Sequence, residues 1–123
     1  MENLYELTEG QLSIMVTNTG KQIQVLWEGK SNERNPSQFL KPFFNRIFES
    51  SKSLKLPIVM DFKKFQYMNS STVTPIVQML EYAKRENVAL TFLYDNNRTW
   101  QELNFQAMKI FESEHPPIRI IEK

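Results

Sequence analysis

"DFKKFQYMNSSTVTP", Asp61 to Pro75, joins a hydrophobic strand to a helix and places three hydroxyls, Ser70, Ser71 and Thr72, at the junction. Upstream, residues 56–62, "LPIVMDF", are a short apolar run bounded by Pro57 and Lys63-Lys64, the pattern of a buried strand. "KKFQYMN" then reads as a loop. Downstream, Ile76, Val77, Leu80 and Ala83 share one face of a helix reaching about Glu86, with Val73 and Met79 toward its edges. A helix starting here leaves four backbone N–H groups without partners, and a Ser or Thr cap satisfies one of them. Pro75 selects the cap. With Thr72 as N-cap, Pro75 is the third helical residue and breaks no helical bond; with Ser71 it deletes the first one. We therefore expect Thr72 to cap and Ser70 to lie two residues before the helix.

That position gives Ser70 a second reading. It lies past the C-terminal side of a strand, at the mouth where α/β folds present their sites. A phosphate there adds up to about two negative charges beside free N–H donors and a positive helix end.

Working outward, Leu12, Ile14 and Val16 alternate, "NTGK" supplies a turn, and Ile23 and Val25 alternate again with Trp27 beyond, which predicts a β-hairpin. "GKSNERNP" (29–36) is a polar loop, and Asn35-Pro36 reads as N-cap and first helical residue. Phe39, Leu40, Phe43, Phe44, Ile47 and Phe48 form a wide apolar stripe; Pro42 requires that this helix bend or that its regular part begin near Lys41. "VALTFLY" (88–94) reads as a strand, and Thr99-Trp100-Gln101-Glu102 as a capping box opening a last helix with Trp100, Leu103, Ala107, Ile110 and Phe111 inside. "PPIRIIE" (116–122) reads as a final strand. The order β-β-α-β-α-β-α-β predicts an α/β fold, a mixed central sheet with crossover helices, as a single domain over residues 1–123.

Fifteen basic residues against fourteen acidic give a net charge of +1, which argues against a nucleic-acid or membrane-surface binder. The absence of cysteine fits a reducing compartment. "MENLYELTEG" lacks the apolar core of a signal peptide, and no apolar run approaches the roughly 20 residues of a membrane span. A cytoplasmic protein is expected.

Catalytic patterns are missing. His115, the only histidine, precedes Pro116-Pro117 in a connector and reads as a surface residue. One histidine and no cysteine make neither a zinc site nor a thiol nucleophile, and three glycines are too few for a phosphate-binding fingerprint. Glu28, Glu33, Asp61 and Asp95 fall on separate elements. Asp61 ends a buried strand as a receiver-domain phospho-acceptor does, but the first strand runs into Thr17-Asn18-Thr19 with no acidic pair to hold magnesium. No catalytic role and no cofactor or metal are expected.

"IVMDFKKFQYMNSSTVTPIVQML" resembles the core motif of STAS domains, the fold of bacterial anti-sigma-factor antagonists. In that family the strand ends in Asp, and eight residues later an acidic or amide residue precedes a phosphorylated Ser or Thr; Asp61, Asn69 and Ser70 match without a gap. "WEGKSNERNPSQFLKPFF", "YMNSS" and "LYDNNRTWQE" are similar to the SiaC-type STAS-like regulatory phosphoproteins, over most of residues 25–112. Asn69 stands where sigma-pathway antagonists commonly have Asp, Thr72 where Gly usually follows the serines, and Arg34 interrupts the Glu-Asn-Pro run. The resemblance implies a non-catalytic bacterial signalling protein with Ser70 as phospho-acceptor and Asp61, Asn69, Ser71 and Thr72 as its neighbours. It also implies a protein kinase and phosphatase acting on Ser70, and a regulated partner such as an anti-sigma factor-like kinase or a diguanylate cyclase-like enzyme. Tyr67, Met68 and Val73 are the candidate partner surface. Two other readings stay open: a constitutive adaptor whose hydroxyls only start a helix, and a small-molecule module binding a nucleotide or lipid among Trp27, Tyr94 and Trp100.

Overall fold

The computed structural model of residues 1–123 contains six strands and three helices: β1 Glu2–Glu9, β2 Leu12–Asn18, β3 Ile23–Ser31, α1 Ser37–Leu54, β4 Ile58–Met68, α2 Ser70–Arg85, β5 Leu90–Tyr94, α3 Thr99–Met108 and β6 Ile118–Glu122. They form one sheet in sequence order, antiparallel from β1 to β3 and parallel from β3 to β6. The expected α/β architecture is present, with one strand more. Tyr5 of β1 pairs with Val16 after a bulge that lets Leu4 and Tyr5 break the alternation, which hides this strand from a period-two search.

Three crossovers of the same hand, moving one strand over each time, place α1, α2 and α3 on one face of the sheet. Between that face and the helices lies a continuous core in which Trp27, Phe48, Phe62, Phe65, Phe92 and Phe105 are almost fully enclosed. Trp27 packs against Phe44, Phe62 and Phe65 with ring centroids 4.9–5.8 Å apart, and its indole N–H donates to the Met60 sulfur at 3.4 Å. The predicted stripe of α1 is its buried face. That helix runs unbroken through Pro42, whose ring is exposed, so the carbonyl it leaves unbonded, that of exposed Gln38, faces water. Pro36, not Asn35, occupies its N-cap.

β4 corrects the expected strand end at Phe62. It continues to Met68 through two register shifts against β3, so Phe62, Phe65 and Met68 all point inward at three-residue intervals. Beyond Asp61 it pairs only with β3, because β5 stops opposite that residue. The two strands therefore project past β5 and β6, while β2 accompanies β3 as far as Gly29, and α2 begins at the tip of β4.

α3 is turned relative to expectation. Gln101, Phe105 and Met108 face the core and the expected Trp100 and Phe111 pack against its edge, whereas Leu103 and, in the turn after α3, Ile110 are 68% and 83% exposed. The capping box does not form: Arg98 is the N-cap without a side-chain bond. Gln101 sets the rotation. Its side-chain N–H2 donates to the carbonyls of Phe62 (2.6 Å) and Phe65 (2.8 Å) at the first β4 irregularity, and its Oε1 accepts from the Asp95 N–H at 2.8 Å. No helix is long and apolar enough to cross a membrane.

Candidate functional site

At the tip of the β3–β4 projection, Asn69 is the N-cap of α2, in extended conformation at φ −80°, ψ 170°. Its Oδ1 accepts from the Thr72 N–H at 3.1 Å and the Thr72 hydroxyl at 2.7 Å. This corrects the expectation that Thr72 would cap. Thr72 is fully buried, and a second hydroxyl explains why: Ser31, also fully buried at the end of β3, lies 2.7 Å from it. The single Thr72 proton goes to Asn69, so the Ser31 hydroxyl donates to Thr72 Oγ1. Asn69 also ties the β3–α1 loop to the helix, its Nδ2 donating to the Glu33 carbonyl at 2.9 Å and its backbone N–H to the Ser31 carbonyl at 3.0 Å.

With the cap moved, Ser70 is not on a loop two residues ahead of the helix but is its first residue, and Ser71 is the second. Both are exposed. The junction thus divides: one amide caps, one hydroxyl is locked inside, and two hydroxyls face water beside the N-terminal donors of a 16-residue helix. Pro75 lies inside the first turns of α2, where its missing N–H leaves unbonded the carbonyl of exposed Ser71.

The other expected residues separate. Tyr67 is 46% exposed and Val73 half-buried, so both keep surface to offer a partner, but Met68 is turned into the core and offers none. Asp61 is not brought to Ser70. It lies roughly 20 Å of extended strand away, on the opposite sheet face, where its carboxylate accepts from the Lys63 N–H (3.0 Å) and ammonium (3.1 Å). His115 is exposed in the connector before β6. No three His, Asp or Glu side chains gather where they could hold a metal ion.

The aromatic-pocket reading is corrected. Trp27 and Tyr94 are fully buried, Tyr94 stacks on Phe105 at 5.6 Å, and Trp100 meets the Phe65 ring edge-on at 5.6 Å. Trp27 and Tyr94 are thus packing inside the core and Trp100 packs at its edge.

Sequence reasoning gives Ser31 no role and does not anticipate the bonds made by the Glu33 carbonyl and the Gln101 side chain. The signal for Ser31 was the parity of β3: Ile23, Val25 and Trp27 point inward, and the same alternation carries through Gly29 to Ser31.

No protein-family model matches this chain, and no curated protein matches its sequence. Solved structures do. SiaC of Pseudomonas aeruginosa superposes with a TM-score of 0.70 at 13% identity over the whole of both chains. Apo-SiaC from the same organism gives 0.67 at 15% identity over 98% of each chain. A chain from the complex of the diguanylate cyclase SiaD with its activator SiaC gives 0.68 at 11% identity, over 98% of this chain and all of that one. The fold is therefore the STAS-like fold of SiaC.

Proposed function

We propose that this protein is a non-catalytic signalling switch that binds a regulated partner protein and is controlled by phosphorylation of Ser70. The observation that carries the reading is the division of labour at the junction: Asn69 and Thr72 build the helix start, leaving Ser70 exposed and unneeded for it. A separate kinase supplies a nucleoside triphosphate; the Ser70 hydroxyl oxygen bonds the terminal phosphorus as the bond to the nucleoside diphosphate breaks, and the hydroxyl proton passes to a base on the kinase. A separate phosphatase returns the serine by hydrolysis. Unmodified Ser70, flanked by Tyr67 and Val73, offers a compact contact surface; a dianion there carries a hydration shell that a docked partner must strip, so the partner is released. SiaC is an activator solved in complex with a diguanylate cyclase, which supports a partner of that kind. The reading places the protein in the cytoplasm with its kinase.

Two measurements test it. Mass spectrometry of the native protein on residues 65–84, "FQYMNSSTVTPIVQMLEYAK", is expected to localise phosphate to Ser70. Ser70→Glu is expected to lose the partner that Ser70→Ala captures. An unmodified peptide across growth conditions, with equal capture by both variants, would favour a constitutive adaptor instead.

A further inference from the structure

The sheet face opposite the helices is open, and its centre is apolar. Reading across the strands, Met15, Leu26, Asp61, Leu93 and Ile121 lie side by side in one row, with Val59 in the row beside it. All point away from α1–α3, and no element of the chain covers them. Ser13, Thr17, Gln24, Thr91 and Arg119 surround this centre, so the face has the apolar middle and polar rim of an interface. Asp61 does not spoil it, because Lys63 neutralises its charge within the same face.

We propose that a second copy of this chain covers the open face, the two sheets stacking about a two-fold axis parallel to the strands. Size and charge both select this occupant. Six strands at roughly 4.8 Å spacing, over about five residues of roughly 3.3 Å rise, give a flat footprint of roughly 500 Å². Two such faces reach the roughly 1,000 Å² that a specific interface needs, before side-chain relief is counted. The charges are unevenly divided along the sheet: Glu6, Glu28 and Lys30 on the β1–β3 side leave a net negative charge, and Asp61, Lys63 and Arg119 on the β4–β6 side leave a net positive one. The axis carries β1 over β6 of the second copy and β3 over β4. Glu28 then lies over the Asp61–Lys63 pair of the second copy, and Glu6 meets the strand that holds Arg119, whose charge is unpaired on this face. An axis perpendicular to the strands stacks like on like and is disfavoured. Aligned sheets packed about 10 Å apart are an ordinary arrangement for twisted sheets.

The pairing of the two sheets is independent of phosphorylation at Ser70. A two-fold axis parallel to the strands keeps the strand direction, so both Ser70 residues lie at the same end of the pair.

Light scattering of the purified full chain is expected to give twice the 14.6 kDa chain mass at high concentration. Leu93→Arg, on the open face, is expected to give the single-chain mass with an unchanged circular-dichroism spectrum. Glu6→Arg is expected to weaken the pair at least tenfold, and adding Arg119→Glu to restore it, which keeps the test valid if Leu93→Arg fails to fold. A wild-type protein that stays monomeric at its highest soluble concentration overturns the proposal. So does a dimer that survives both Leu93→Arg and Glu6→Arg, since its interface then lies elsewhere.

Discussion

The hydroxyls of Ser31 and Thr72, forty-one positions apart in sequence, lie 2.7 Å apart with no access to solvent. They end a relay in which Ser31 donates to Thr72 and Thr72 donates to Asn69, so the end of β3 is bonded to the first turn of α2. Thr72→Val keeps the shape but strands the Ser31 hydroxyl in the core, at a cost of about 2 kcal/mol. Ser31→Ala, which leaves Thr72 its bond to Asn69, costs about 1 kcal/mol. Because the two share one bond, the double variant is expected to cost less than the sum of the singles, by about 0.5–1 kcal/mol. Urea denaturation of the four proteins closes this cycle.

Asn69 carries two duties that one substitution pair separates. Asn69→Ala removes the cap and the tie to Glu33 together, with an expected loss of about 1–2 kcal/mol. Asn69→Asp keeps acceptors for Thr72 and a favourable charge at the helix start, but it cannot donate to the Glu33 carbonyl. Amide exchange is expected to quicken at 31–36 in both variants, and in the first turn of α2 only with alanine. Equal exchange at 31–36 in Asn69→Asp and the native protein would show that the tie does not hold the loop.

Most of the architecture was legible because its signals are local. The stripe from Phe39 to Phe48, the alternation of β2 and β3, and the apolar run of β4 each report an element through its own periodicity. What failed was set by contacts between distant segments. Thr72 looks like a cap until buried Ser31 draws its hydroxyl inward, and nothing near Thr72 in the sequence reveals Ser31. The face of α3 was misread because its rotation is fixed by two carbonyls of β4, which place polar Gln101 where an apolar residue was expected. Asp61 matched the family pattern in spacing, yet the strand turns it to the face away from the helices.

Gln101 is accordingly expected to be among the most sensitive polar residues. Gln101→Leu fills similar volume but leaves two carbonyls and the Asp95 N–H without their partner, a loss of about 3 kcal/mol or more. Gln101→Glu removes both donors while adding a charge, and is expected to cost at least as much at neutral pH. A thermal melt of the two variants distinguishes this role from simple packing, for which leucine would be nearly neutral.

Tyr5 fixes the outer strand β1 to α1, its hydroxyl bonding Ser50 Oγ at 2.8 Å and the Arg46 carbonyl at 3.1 Å. Burial pushes its phenol above the ordinary value of 10.0, outweighing the Ser50 bond and the Arg46 charge, which act the other way. A folded state that holds this proton more tightly than the unfolded chain is stabilised below pH 10, and that increment is lost as pH rises through the folded value. Burial raises the Tyr94 phenol in the same sense. Stability is therefore expected to decline from about pH 10 upward, and less steeply in Tyr5→Phe, which denaturant midpoints across that range would show.

Gly29 and Gly20 both have positive φ, +85° and +90°, but only one is sterically closed. A Cβ on Gly29 would lie 1.9 Å from the Gln11 carbonyl oxygen, the group that accepts from the Lys30 N–H, whereas a Cβ on Gly20 meets nothing within 4 Å. Gly20→Ala is expected to cost only the backbone term, about 1–2 kcal/mol. Gly29→Ala must also push β2 and β3 apart where β3 turns toward Ser31, at an expected cost above 3 kcal/mol. If both variants melted within a degree of each other, the close approach at Gln11 would not constrain the fold.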